Sequence, residues 1–344
     1  MNVDIALPGQ HRAGSTAPAS RARLLRGAAW LLAAAVVPLV MQGYELFLVT
    51  SILIMAIALL GLNLLAGYAG LLSLGHGAIF AMGAYAAALL QKNGAVPLIL
   101  VPVLAGIVCL IFGRGFAFAL QRLEGMQFAL ATFALAIVAP QLLRYDLLQR
   151  WSGGSQGIAF TRGAPPEWLM LSSDNWLYVL VVVHLLIAAF VVDNVRHGPD
   201  GRALLALKDN ALSASAMGID TVAAKCGAFE LSAFFAGIAG ALNALLVQFV
   251  APDSFPFFLS ITLFIGLVVG GIGSTYGPLL GACFIVLVPN FAEQLSQAAT
   301  SAIYGGVVVA LMLAEPNGLA GIAERVWHLR RFLPTSPNSN GDQT

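Results

Sequence analysis

GLNLLAGYAGLLSLGHGAIFAMGAYAAALL, Gly61–Leu90, sets six glycines (Gly61, Gly67, Gly70, Gly75, Gly77 and Gly83) around the polar side chains of Asn63, Ser73 and His76. A second stretch, FIGLVVGGIGSTYGPLLGA, Phe264–Ala282, repeats the pattern with Gly266, Gly270, Gly271, Gly273, Gly277 and Gly281 beside Pro278. Backbone that leaves regular helix at bilayer depth is tolerated only where protein or a water-filled cavity satisfies its N–H and C=O groups. Glycine-broken apolar segments in both halves of a chain mark a transport pathway. Small residues at four-residue spacing also let helices pack closely. Both readings predict a helical membrane protein. The first makes Asn63, Gly67, Gly70, Ser73, His76, Gly270, Gly271 and Gly273 candidate pathway residues.

Composition supports the same class. Of 344 residues 59% are hydrophobic and only 10% charged, with a mean hydropathy of +0.86, whereas soluble domains carry about 25% charged residues. Hydropathy divides the chain into ten spans, near 24–42, 47–66, 71–91, 97–118, 125–143, 175–193, 226–249, 258–273, 277–296 and 301–316. Each approaches the roughly 20 residues that cross a bilayer as helix. The fold class predicted is an all-α integral membrane protein of about ten transmembrane helices with glycine-broken segments. Residues 24–316 are expected to form the transmembrane domain, residues 1–23 a disordered tail rich in Ala, Ser, Pro and Arg, and residues 317–344 a second tail. No small-residue cleavage signal surrounds Met41–Leu46, so the first span reads as an uncleaved helix rather than a signal peptide.

Charge placement orients the spans. With the N-terminus inside, 13 Lys and Arg residues fall on the cytoplasmic side and four, Lys92, Arg144, Arg150 and Arg162, on the other, as the positive-inside rule requires. Both termini are then cytoplasmic. The loop 144–174, with WSGGSQGIAF and Pro165-Pro166, lies outside, and the polar island Asn194–Lys225 lies in the cytoplasm.

The island spends 32 residues where helix connections in bundles usually take about 2–8. Pro199 and Asp200 end one element and cap the next, GRALLALK, whose Leu204 and Leu207 share a face while Arg202 and Asp209 stay wet. Asn210 offers a second N-cap, Ala211–Met217 makes about two turns of small residues, and Gly218 sits where a left-handed cap is needed. Such a helix presents Leu212 and Met217 as apolar anchors for a partner's groove. An isolated helix this short does not persist in water, so its own membrane domain, a partner or the lipid surface must support it.

Other chemistry is sparse. No Gly-x-x-x-x-Gly-Lys-Ser/Thr loop is present to cradle nucleotide phosphates. Cys109, Cys226 and Cys283 stand singly without metal-ligand spacing, so no metal site is predicted. A net charge of +1 gives no basic field for nucleic acid. Ser73 and His76 invite a hydrolase reading, but three apart beside glycines His76 reads as a helix-end hydrogen-bonding residue, and no catalytic residue is predicted. Glu230 and His184 fall in or near spans, where charge is costly; structural satisfaction is the favoured role for both. A secondary transporter or channel would need intramembrane carboxylates, and only Glu230 and Glu293 qualify.

On these residues the chain resembles the branched-chain amino-acid permeases of ABC importers, the LivM type. Gly201–Asp220 is similar to that family's cytoplasmic coupling loop, Gly61–Leu90 to its second and third spans, GGIGSTYGPLLGA to its late glycine turn, and SGGSQGI to an outer motif. The resemblance covers roughly Ile54–Leu319. It implies ATPase-coupling roles for Arg202, Asn210, Ala211, Leu212, Ser215, Met217 and Gly218. It also implies a heterodimer with a sister permease, two cytoplasmic ATPases that hold the Mg-ATP this chain does not bind, a periplasmic substrate-binding protein, and a lipid-embedded place in the bacterial inner membrane. The group also includes urea and amide importers, which leaves the solute open. Ser215 stands where the family usually has Glu, and EGMQFALATFAL lacks the family's Asp-Tyr pair.

Overall fold

The computed structural model describes residues 40–322, except 93, 95, 124, 146–148, 150, 164, 166–170 and 317, together with residues 38 and 325. The expected span at 24–42 and the tails 1–23 and 317–344 lie outside these residues but for a few positions. The chain divides into two units, Met1–Leu46 and Phe47–Thr344.

Helices dominate. In chain order they are α1 (Tyr44–Asn63), α2 (His76–Lys92), α3 (Val101–Ala119), α4 (Gly125–Arg144), α5 (Ser173–His197), α6 (Pro199–Asp209), α7 (Ala211–Ala216), α8 (Thr221–Val247), α9 (Phe257–Gly270), α10 (Gly277–Leu295) and α11 (Thr300–Ala314). Among the described residues seven helical stretches are long and apolar enough to cross a membrane: Tyr44–Tyr68, Val101–Ala119, Gly125–Arg144, Ser173–His197, Thr221–Val247, Pro252–Gly270 and Gly277–Leu295. α2, with 17 residues, and α11, with 15, stand where spans were expected but are shorter. This is an all-α membrane protein.

Three of the boundaries that differ from the hydropathy reading do so for a visible local reason. α2 begins at His76 rather than 71, because backbone N–H groups before it bond to hydroxyls instead of to a preceding turn: Leu74 N–H donates to Thr132 Oγ at 3.0 Å. α5 continues past 193 to His197, since polar residues extend a helix beyond the apolar zone that hydropathy detects. α8 begins at Thr221, five residues early, because the Asp220 carboxylate caps it through the Val222 and Ala223 N–H groups at 3.0 and 2.9 Å.

α8 is the centre. Its buried face is built of small residues (Ala233, Ala236, Gly237, Ala239, Gly240, Ala241 and Ala244) together with Phe229 and Phe235, and it packs against α2 and α3. A Cβ added at Gly240 would collide with the Phe80 carbonyl group and one at Gly83 with the Gly237 backbone. These helices therefore touch backbone to backbone, the approach small residues permit in membranes. α9 and α10 pair similarly through Gly266 and Gly281. The outward faces of α3 and α4 expose Ile107, Ile111, Phe118, Leu130, Ile137 and Leu142, a liability in water and a lipid-facing surface in a bilayer.

The loop 144–174 is ordered where described. β1 (Ile158–Ala159) pairs antiparallel with β2 (Phe249–Val250), Ile158 opposite Val250. Arg144 bonds Asp253, Arg162 bonds Asp174, and Ser152 Oγ donates to the Leu143 carbonyl at 2.6 Å. Glu230 pairs with Arg114 across α8 and α3 at 3.2 Å. His184 Nδ1 lies 2.8 Å from the Leu180 carbonyl one turn earlier in its own helix. Both groups have protein partners.

Candidate functional site

The connection between α5 and α8 is two short helices, α6 and α7. Gly198, extended, occupies the N-cap of α6 with Pro199 at its first position, where the missing N–H costs nothing. The cap expected from Asp200 is not made; its place in the first turn complements the helix dipole instead. Gly201, Leu204 and Leu207 of α6 are buried, and Arg202 and Asp209 are exposed. Asn210 then caps α7, its Oδ1 accepting from Ser213 N–H at 3.0 Å. At the other end Ile219 N–H reaches the Ala214 carbonyl at 3.1 Å and Gly218 N–H the Ser215 carbonyl at 3.0 Å. With Gly218 at φ +83°, this is a Schellman closure.

Only Ala214 of α7 is buried. Leu212 and Met217 are 83% and 71% exposed, and Ala211 and Ser215 leave the surface between them shallow. The Ser215 hydroxyl donates to the Leu212 carbonyl at 2.8 Å. Replacing Asn210 with alanine removes one cap and should destabilise α7 by about 1 kcal/mol. Faster amide exchange confined to 211–217 is the expected result; unchanged exchange there would show that the cap contributes nothing.

The two glycine segments meet at the same end of the bundle. α1 closes in a π-helical turn, Leu64–Tyr68, a form that recurs at functional sites. Asn63, 1% exposed, bridges this closure to the turn between α9 and α10: its Nδ2 donates to the Ser274 carbonyl at 2.9 Å, and its Oδ1 accepts from Gly273 N–H at 2.7 Å. Gly67 lies against Gly273, where an added Cβ would sit 2.8 Å from the Gly273 nitrogen. Gly271 and Gly273 take φ +112° and +79°, and Gly270 packs on Gly277.

Two cations, one in the connection and one just before it, reach into this junction. Lys208 of α6 donates from Nζ to the Gly67 carbonyl at 2.9 Å. Its stem crosses Gly70 (φ +69°), where a Cβ would lie 2.9 Å from Lys208 Cγ. Arg196, in the last turn of α5, donates to the Thr275 hydroxyl and covers the Tyr68 ring at 5.7 Å. A cavity of about 390 Å³ lies beneath the connection, bordered by Leu64, Val195, Asp200, Leu204, Ile219 and Leu231 among others.

Ser73 and His76 belong to a separate buried cluster. His76 Nδ1 lies 2.9 Å from Ser73 Oγ and Nε2 2.6 Å from Ser232 Oγ of α8. Ser260 of α9 accepts from Gly77 N–H at 2.9 Å. Each of these side chains is at most 1% exposed. The hydroxyls supply partners to the backbone where α2 starts, as broken helix in a membrane demands. Sequence reasoning missed Lys208, Arg196, Ser232 and Ser260: each meets its partner far along the chain, and no local spacing signals the pairing.

A multi-pass helical protein with two glycine-broken segments joined to a long, capped polar connection has the form of a transporter's membrane subunit. The family described as "branched-chain amino acid transport system / permease component" matches residues 44–314, and the chain belongs to it. It is similar to the high-affinity branched-chain amino acid transport system permease protein LivM of Salmonella typhimurium, 30% identical over 85% of this chain and 73% of that protein. LivM of Escherichia coli is 29% identical over the same shares. The permease protein LivH of Salmonella typhimurium is 25% identical over 78% of this chain and 92% of its own. The permease is therefore of the LivM type. No solved structure matches the chain.

Proposed function

We propose that this chain is the membrane-spanning subunit of an ATP-driven importer of branched-chain amino acids in a bacterial inner membrane. The LivM relatives support the solute class. Similarity to both LivM and LivH supports pairing with a sister permease. The observation that carries the coupling is α7, a capped helix that leaves Leu212 and Met217 exposed beside small residues.

In this reading ten spans put both termini and the connection 194–225 in the cytoplasm and the loop 144–174 outside, where a periplasmic binding protein delivers the solute. Two cytoplasmic ATPases hold Mg-ATP and grip the connections of the paired permeases. ATP-driven closure shifts the bundle between two states that bind solute differently, around a pathway bordered by the glycine segments.

The test is affinity purification of the full chain from its own membranes, followed by uptake in proteoliposomes. An associated ATPase and ATP-dependent leucine uptake are expected. Transport that proceeds without ATP and without an ATPase sinks the importer reading, and uptake of urea or short amides in place of leucine sinks the solute class.

A further inference from the structure

We propose that Lys208, with Arg196 as a second link, is a positioning residue that joins the docking connection to both glycine segments. The inference rests on the importer reading for its direction of force, but the junction itself stands on geometry. α6 is held to the bundle on one side by Leu204 and Leu207 and on another by the ammonium of Lys208 on the Gly67 carbonyl. That carbonyl belongs to the π-turn ending α1, and a hydrogen bond with an ionised donor is among the stronger kinds. Gly70, without a side chain, leaves the lysine stem its place. Immediately behind Gly67 stands Gly273, tied to Asn63 by its N–H. Arg196 repeats the link from the other flank, through Thr275 and Tyr68.

A displacement of α6 and α7 toward the membrane therefore has a short contiguous route: Lys208 to the π-turn, the π-turn to Asn63 and Gly273, and from there to the ends of α9 and α10. A cavity of about 390 Å³ borders α6 at Asp200, Ala203 and Leu204. The π-turn and the positive-φ glycines are the points at which helices can bend. Coupling is carried by an element that has two arrangements and is biased from both sites, and this junction is the contact between docking surface and pathway segments.

The test compares Lys208→Met, which keeps the stem and removes the donor, with Lys208→Arg, which keeps a donor. In the full chain without partners, Lys208→Met should speed amide exchange in 64–71 and also in 271–276, while Lys208→Arg stays near wild type. Exchange altered only within 199–209 overturns the link whether or not the protein is an importer. In the assembled transporter, Lys208→Met should still hydrolyse ATP while leucine moved per ATP falls about tenfold, within the range of ordinary coupling energies, and Lys208→Arg should restore most of it. ATPase activity and uptake lost in parallel would show a structural role and overturn the proposal, as would wild-type stoichiometry in the Met variant. Absence of ATP-dependent uptake in the wild type would count against the importer reading instead, and the exchange result would still decide the link.

Discussion

Gly240→Val should leave little folded protein in the membrane. The Cβ of any side chain at 240 points at the Phe80 carbonyl group, with its carbon at 2.8 Å and the Ala84 nitrogen at 3.1 Å. All three atoms are backbone, so no rotamer change relieves the collision and α2 must move off α8. That movement also separates Ser232 from His76, since residues 232 and 240 share the face of α8 that meets α2. Overpacking of a tight interior costs about 1–3 kcal/mol, and a rigid backbone neighbour places this site at the upper end. Gly115→Val is the matched control, because nothing lies within 4 Å of a Cβ added there. Fluorescence-detected size exclusion and the thermal midpoint in detergent should show Gly240→Val aggregated or much destabilised and Gly115→Val near wild type. Equal midpoints would mean that the α2–α8 crossing is looser than these contacts require.

Such effects follow from packing that a sequence reveals unevenly. Hydropathy locates apolar stretches, and the helices over 101–119, 125–144 and 277–295 fall within a few residues of their expected spans. It fails at the ends of α5 and α8, because a helix that leaves the membrane stays a helix while its residues turn polar. The caps of α7 were legible because capping is local chemistry: Asn210 and Gly218 act within four residues of themselves. His76 was readable as a helix-end residue, although its partner Ser232, 156 positions away, was not. The glycines showed that irregular backbone was present without showing what it meets. In the structure Gly70 makes room for the stem of Lys208, whereas Gly67, Gly83 and Gly240 admit a neighbouring backbone. A glycine records that space is needed and carries no information on the occupant.

A second large effect is expected at Gly218, and its cause is conformational alone. Nothing lies within 4 Å of a Cβ added at Gly218, so a substitution there meets strain without collision. Its φ of +83° is a genuine outlier for a β-branched residue, and left-handed backbone costs an ordinary L-residue about 1–2 kcal/mol. A six-residue helix has little stability of its own to absorb that. Gly218→Val should therefore open the Schellman closure and misplace Met217 while the bundle folds and inserts as before. Gly218→Asn, whose side chain tolerates left-handed backbone, should lie between the two. Since 1.4 kcal/mol is a tenfold change, the proposed importer function predicts that ATP-dependent uptake falls about tenfold in the Val variant. Leu212→Asp with Met217→Asp separates shape from contact. Both side chains face outward, so the pair leaves the fold intact, yet it removes the anchors a partner's groove would take. Loss of an associated ATPase by the double Asp variant, with normal insertion, is the expected result. Retained association together with full uptake in Gly218→Val would remove α7 from the coupling surface and leave α6 and Lys208 to carry it alone.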